Sequence, residues 1–549
     1  MGGGGGGFIN KSAMKDTPRE VYANWYIYFV GITVAFSGGL HGFNSSNISG
    51  ILKMHDFKES FDLAQYSSTA YSDLSGWLTS IIVLGGMIGA FATAPLNDLV
   101  GRRITLFLLG LLYVVGCIIQ IVTTSNINQV IGARALQGFA GGGGSVAGPM
   151  LIAEVAPKAI RGLLSGFFSL TVMFGIALGY WSNYGTILHI SDNSHWQWRI
   201  PLLVQFVPGV IVCAFIFFVP ESPRWLAWKG HEAKALRALV RLRRLPEDHP
   251  FVVQEYTDIL GGIEAERGNS QSWVGLGKEL VKDRTLARRF VLVLIAQVGY
   301  NFSGGNSITY YQTTILTQVG IKGDDAYLFS GIYGLIKILA VLLYSLYFTE
   351  HFGRRNAILL GSAINILCVT WISIYLGALS GNHAGAWVSV AAICIFALGY
   401  GLGWAPNAFS LSSELFPNSL RAKMTSICIG VQYLINFLLV RFFPNMTAGI
   451  GSDGPFIIFA VVSAAIWVYL FLALPEVKGV AIEHMAELFN GHFWTNGVRA
   501  SKLNKLLRKE EADNAETFRR DDKGSTALIE DVKDTKSESP GPGRLLSAV

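Results

Sequence analysis

The stretch Ser37–Leu52, SGGLHGFNSSNISGIL, sets His41, Asn44, Ser45, Ser46 and Asn47 into an otherwise apolar run. Amides and hydroxyls offer both donors and acceptors, so they suit a solute carrying several hydroxyls, or one another across packed helices. Two cations, Arg134 and Lys337, also fall inside apolar runs, whereas every Asp and Glu lies at the end of a run or outside it. An ammonium near the middle of a span, as at Lys337, is expensive, and its stem is too short to bring the charge to either interface. Two readings are open: the solute supplies a carboxylate to these cations, or the solute is neutral and Lys337 rests on backbone carbonyls. No nucleophile–base set and no metal-ligand spacing points to an enzyme, and no residues call for a cofactor.

Composition says what must position these groups. Residues are 51% hydrophobic and 15% charged, against about 25% charged in a soluble domain. Apolar runs recur near 25–50, 75–97, 104–123, 128–152, 162–185 and 199–219, then near 290–316, 326–348, 357–378, 386–412, 423–444 and 455–474. Each is long enough to cross a hydrocarbon core of about 30 Å as a helix. The expected fold is an all-α membrane protein of twelve transmembrane helices in two six-helix repeats.

Basic residues cluster in every second connection: Arg102 with Arg103, Lys158 with Arg161, Arg354 with Arg355, Arg421 with Lys423, and the segment Arg224–Arg244. By the positive-inside rule both termini face the cytoplasm, and the plasma membrane is the expected site. The net charge of +6 is therefore read as topology, not as a nucleic-acid footprint; the expected partners are a small solute and the lipid bilayer. MGGGGGGFIN lacks the h-region of a cleavable signal, so the first span should direct insertion. The five cysteines, 117, 213, 368, 394 and 428, all fall inside spans and read as small buried hydrophobes.

The chain divides into a cytoplasmic segment 1–24, a first six-helix half 25–219, a linker 220–286, a second half 287–474 and a tail 475–549 expected to be largely disordered from about 501. Helical spacing in HEAKALRALVRLRRL predicts short amphipathic helices in the linker. Internal repetition links the halves: NDLVGRR at 97–103 recurs as TEHFGRR at 349–355, EVAPKAIR at 154–161 as ELFPNSLR at 414–421, and PESPRW at 220–225 more weakly as PEVKG at 475–479. The offsets are 252, 260 and 255 residues. Near-constant spacing is the mark of two parallel repeats with a substrate path between them.

These motifs, with Arg134, Gly138 and Gly142, Trp198-Arg199-Ile200-Pro201 and Asn306-x-x-x-Tyr310-Tyr311, resemble the sugar porter family of the major facilitator superfamily over about 25–490. GYWSNYG at 179–185 and GIYGLIK at 331–337 are similar to a fungal branch that includes quinate and uronate porters. The resemblance implies alternating access and a midplane solute site with Asn306, Asn436 and Phe409 as contacts, the last where the family usually has Trp. Tyr300-Asn301 replace a Gln pair, and Gln297 and Asn301 suit solute contact or interhelical bonding equally. The resemblance also implies a gate at the cytoplasmic helix ends, formed by Asp98, Arg102, Arg103, Glu154, Arg161, Glu221 and Arg224 with Glu350, Arg354, Arg355, Glu414 and Arg421. Gly138 and the run 141–144 are read as helix packing.

Asn44 occupies the position where proton-coupled relatives carry Asp, and is expected to face Arg134. An amide cannot titrate, so the implied transport needs no proton; His41, one turn away, leaves a proton symporter as the alternative. A non-transporting sensor of the same fold is the competing class, disfavoured by a short tail without repeated motifs.

Overall fold

A computed structural model describes residues 14, 17–268, 273–348, 352–417, 420–476 and 489. Nearly all of the tail, including its expected disorder, lies outside the described residues. Ten described helices are long and apolar enough to cross a membrane. Two others complete the twelve. Ile127–Val155 is diluted by its glycines, and the seventh span is cut into short segments.

The spans are α1 Trp25–Ile51, α2 Ser68–Val100, α3 Arg102–Val122, α4 Ile127–Val155, α5 Arg161–His189 and α6 Trp196–Phe218. The second set begins with α7, made of Arg284–Phe302, Gly305–Tyr310 and Gln312–Gln318, followed by α8 Asp324–Leu343 and α9 Arg354–Ala378. It ends with α10 (His383–Leu402 continued by Trp404–Glu414), α11 Arg421–Ile450 and α12 Gly454–Ala473. Several helices overrun the apolar runs by a turn or more, because hydropathy marks the hydrocarbon core whereas caps mark helix ends. Asp283, for instance, accepts from the Thr285 and Leu286 amides and starts α7 ahead of its apolar stretch.

Packing repeats with a shift of six. Helix α1 lies on α5, α2 on α4 and α3 on α6; likewise α7 lies on α11, α8 on α10 and α9 on α12. The two sets meet through α2 on α11 and α5 on α8, which a twofold exchange interconverts. Close approach of α2 and α4 explains Gly138 and Gly142, where a Cβ would stand 2.2 Å from the Ile82 carbonyl oxygen and 2.0 Å from that of Gly86. All five cysteines are free and lie within spanning helices.

The linker contains four helices, Pro223–Trp228, Glu232–Arg243, Pro250–Gly268 and Trp273–Lys282, of which the second carries the HEAKALRALVRLRRL pattern. In the second of these Ala235, Leu239 and Leu242 are buried, and so is Arg243. Its guanidinium bonds both oxygens of Glu255 at 2.7 Å and donates to the Val155 carbonyl at 2.8 Å, tying the linker to the last turn of α4.

Candidate functional site

The interruption of α7 builds the interior. Gly304 adopts φ 86°, a left-handed turn that glycine takes without strain, and the chain turns again at Tyr311. Helices broken at membrane depth are tolerated where they line a protein interior, and transporters place solutes there. The break brings Thr309, Tyr310 and Gln312 beside α1, α5 and α8.

Lys337, midway along α8, is buried. Its ammonium donates to the Thr309 hydroxyl and sits 4.8 Å from the Tyr333 ring centre and 4.9 Å from that of Tyr400. A Cβ at Gly305 would stand 2.1 Å from the Tyr400 ring, so this cage requires glycine there. Two desolvated ring faces are each worth up to about 2 kcal/mol to a cation, but neither is a directional acceptor like a carboxylate oxygen. The backbone-carbonyl arrangement expected for a neutral-solute carrier is not the one formed. Tyr333 lies one turn before Lys337 on the same helix, a spacing the sequence offered and the reading passed over.

Amides extend from this cage. Tyr400 donates to Asn306, Asn306 to Asn301, and Asn301 to the Gln297 and Gln432 carbonyls. Gln297 donates to the Ala408 carbonyl, so Gln297 and Asn301 both make interhelical bonds. Buried acceptor oxygens of Gln297, Gln432 and Asn436, and both amide atoms of Gln312, have no partner among the described residues. Such groups cost about 1–3 kcal/mol when buried dry, and they are suited to a hydroxylated guest. Phe409 lies in the Trp404–Glu414 segment of α10.

In the first set the amides are linked in one chain, although the Asn47 and Asn183 side-chain oxygens have no partner among the described residues. Gln205 donates to Asn44 and to Gln137 (2.9 Å), Gln137 donates to Gln120 (2.9 Å), and Asn47 donates to Gln205 (3.0 Å). Asn44 therefore does not pair with Arg134 as expected. The Arg134 Nε donates to the Leu78 carbonyl, while its Nη2 has no partner among the described residues. Gln205 intercepts the Asn44 amide, a contact that no reading of α1 alone reveals.

At the end of the bundle carrying Arg102 and Arg354, the basic end, Arg102 and Glu154 pair at 3.1 Å with side chains only 7% and 5% exposed. Glu221 accepts from the Arg102 and Arg103 amides and so caps α3. Glu476 does the same for α9 through the Arg354 and Arg355 amides. Both helices follow a glycine with positive φ, Gly101 at 95° and Gly353 at 79°. Glu476 belongs to the PEVKG echo but not to the gate residues that the resemblance implies.

Asp98, in the last turn of α2, is largely exposed and 3.5 Å from Arg102 at the start of α3. Arg161 donates to the Ala156 carbonyl, Arg355 to those of Leu474 and Phe471, and Arg421 to that of Phe416. Arg224 lies in the helix Pro223–Trp228. Glu414 ends the second segment of α10, and Glu350 lies outside the described residues.

At the opposite, distal end bonds join the two sets. Asp73 accepts from Arg441 (3.0 Å) and Asn445 (2.8 Å). Ser49 meets Thr313 at 3.1 Å, and Tyr327 donates to the Gly50 carbonyl at 3.2 Å. Arg441 is a further cation inside an apolar run, 423–444, beyond the two named from the sequence.

Residues 30–489 match the family described as sugar (and other) transporter. The probable quinate permease of Aspergillus niger is 31% identical over 539 residues, covering 95% of this chain and 98% of that protein. The quinate permease of Emericella nidulans is 31% identical over 92% of this chain and 95% of its own length. The inward open xylose transporter XylE from E. coli superposes with a TM-score of 0.71 at 21% identity, over 85% of this chain and all of that one, a likeness of fold. Twelve helices in two parallel repeats around a polar interior define a multi-pass membrane transporter. The chain belongs to the sugar transporter family, within the major facilitator superfamily.

Proposed function

We propose that this protein carries a ring solute bearing both hydroxyls and a carboxylate, of the quinate or uronate kind, by alternating access and without obligatory proton coupling. The observation that carries the reading is Lys337: a buried cation in mid-span held by a hydroxyl and two ring faces, with no acidic partner among the described residues. The names of the quinate permeases agree with it. Asn306, Asn301, Gln297, Gln312 and Asn436 would bind hydroxyls, and the partnerless Nη2 of Arg134 is a second donor for the anion. The basic end, with both termini, faces the cytoplasm of the plasma membrane. The two halves 25–219 and 287–474 rock about the site. The Asp73–Arg441 contact opens in one state, and the clusters around Arg102 and Arg354 rearrange in the other.

Uptake into sealed vesicles tests the substrate class. Replacing Lys337 by Met keeps length and apolar bulk but removes the charge, so uptake of the acid should fall at least tenfold while a neutral analogue is spared. A wild type that moves only neutral sugars, with Lys337→Met unaffected, overturns the anion assignment. For coupling, a pH gradient imposed at clamped potential should drive no accumulation by the wild type, because Asn44 does not titrate. Accumulation that disappears in His41→Ala would make His41 the proton carrier instead.

A further inference from the structure

A groove of about 370 Å³ at the basic end is lined by Trp25, Tyr26, Phe29, Phe218, Arg241 and Arg244. It lies where α1 begins, α6 ends and the linker helix Glu232–Arg243 crosses them. The three elements are bonded together there. Asn24 caps α1 and donates to the Leu242 carbonyl at 3.1 Å; the Tyr26 hydroxyl (2.8 Å) and the Arg241 guanidinium (3.2 Å) both donate to the Phe218 carbonyl.

The run Arg241-Leu242-Arg243-Arg244 divides its charges. Arg243 is buried against Glu255. Arg241 and Arg244 are exposed and have no carboxylate within ion-pair distance among the described residues. Their guanidinium groups lie over rings instead: Arg241 is 5.4 Å from Tyr26, and Arg244 is 5.0 Å from Trp25 and 5.9 Å from Tyr26. Arg244 reaches this position through a left-handed backbone, φ 54°, while its amide closes the helix on the Val240 carbonyl at 2.8 Å. A non-glycine residue in that conformation costs about 1–2 kcal/mol, and here it turns a second free cation toward the groove. Beside the arginines, Trp25 is 62% exposed and Phe218 57%, as side chains facing lipid at a membrane interface are.

We propose that this groove binds the headgroup of an anionic phospholipid, the two arginines holding its phosphate and carboxylate or inositol oxygens while the acyl chains lie along Phe218 and the end of α6. Two guanidinium groups without a carboxylate partner among the described residues supply charge complementarity, and their position beside the ends of two spanning helices, α1 and α6, favours a lipid over a soluble anion. The bound lipid joins the linker to α1 and α6, so it steadies the first set of helices against the linker. The assignment does not depend on which solute is carried.

The test uses the purified full chain in micelles with equimolar phosphatidylserine and phosphatidylcholine, counting retained lipids by native mass spectrometry. Wild type should retain phosphatidylserine preferentially. The preference should fall about fivefold for each arginine removed in Arg241→Gln and Arg244→Gln, and Trp25→Ala should lower retention without altering charge. Lys158→Gln, which removes an exposed cation paired with Asp258 at 3.1 Å at the same end, should leave the preference unchanged. An unaltered preference in the double arginine variant overturns the assignment, as does an equal fall in Lys158→Gln. Displacement of the lipid by excess glycerophosphoserine or inorganic phosphate would mark a free-anion site and overturn it too.

Discussion

The two six-helix sets match at the basic end and differ in the interior. Gly101 and Gly353 make the same turn, and Glu221 and Glu476 cap the following helices through the same pair of amides. Deeper in, the first set links its amides into a chain, Asn47 and Asn44 to Gln205, Gln137 and Gln120, with the Asn47 Oδ1 left without a partner among the described residues. The second set breaks its leading helix at Gly304 and leaves Gln312, Gln432 and Asn436 with atoms unbonded. Repetition therefore preserves the helix caps of the basic end, while the two interiors differ in how their amides are bonded.

The largest effect should come from separating the buried ion pair at the matched end. Arg102→Met leaves the buried Glu154 carboxylate without the guanidinium that pairs with it at 3.1 Å. Breaking a buried pair from one side costs about 3–5 kcal/mol. Unfolding of the purified protein in detergent should show this loss, and adding Glu154→Gln should recover part of it. A loss below about 1 kcal/mol would mean that the pair is wetter or looser than its burial implies.

The capping carboxylates come next. Glu221→Gln and Glu476→Gln each keep the shape but replace a charge-assisted acceptor at a helix N-terminus, where a negative charge is favoured, with a neutral one. Each should cost about 1.5–3 kcal/mol, and the two losses should agree within about 0.5 kcal/mol. A large disparity would break the equivalence of the two ends and confine the repeat to sequence.

The spans and the matched ends were legible in the sequence because they depend on local signals: apolar runs of fixed length, glycine before paired arginines, and a constant offset. The interior was legible only as a set of residue types. Asn44 was visible as an amide in a span, but its partner Gln205 lies 161 positions away, on a helix whose face toward α1 is set by packing. Lys337 was visible as a costly cation, whereas its cage needs Tyr400 from α10 and the absence of a side chain at Gly305. Arg441 was overlooked because it stands near the end of its run, and its partner Asp73 precedes the apolar stretch of α2. Charge pairs between the two sets leave no periodic trace.

The smallest effect on stability is expected in the interior of the second set, and there the contrast between the halves can be tested directly. Gln205→Leu removes the hub that donates to Asn44 and Gln137 and accepts from Asn47, leaving buried polar groups unmatched. Stability should fall by about 1–3 kcal/mol. Gln312 carries the same amide at similar burial, yet neither of its polar atoms has a partner among the described residues, so Gln312→Leu breaks no bond and should cost the empty protein no stability. Its cost should emerge on adding solute: loss of one well-placed amide contact weakens binding about tenfold, the equivalent of about 1.4 kcal/mol. Titration of both variants with quinate and with a neutral polyol, followed by thermal unfolding, separates the two roles. If Gln312→Leu destabilises the empty protein as much as Gln205→Leu does, the second interior is as closed as the first and the solute site must lie elsewhere. A selective loss of ligand-induced stabilisation would identify Gln312 as a group held in reserve for the solute.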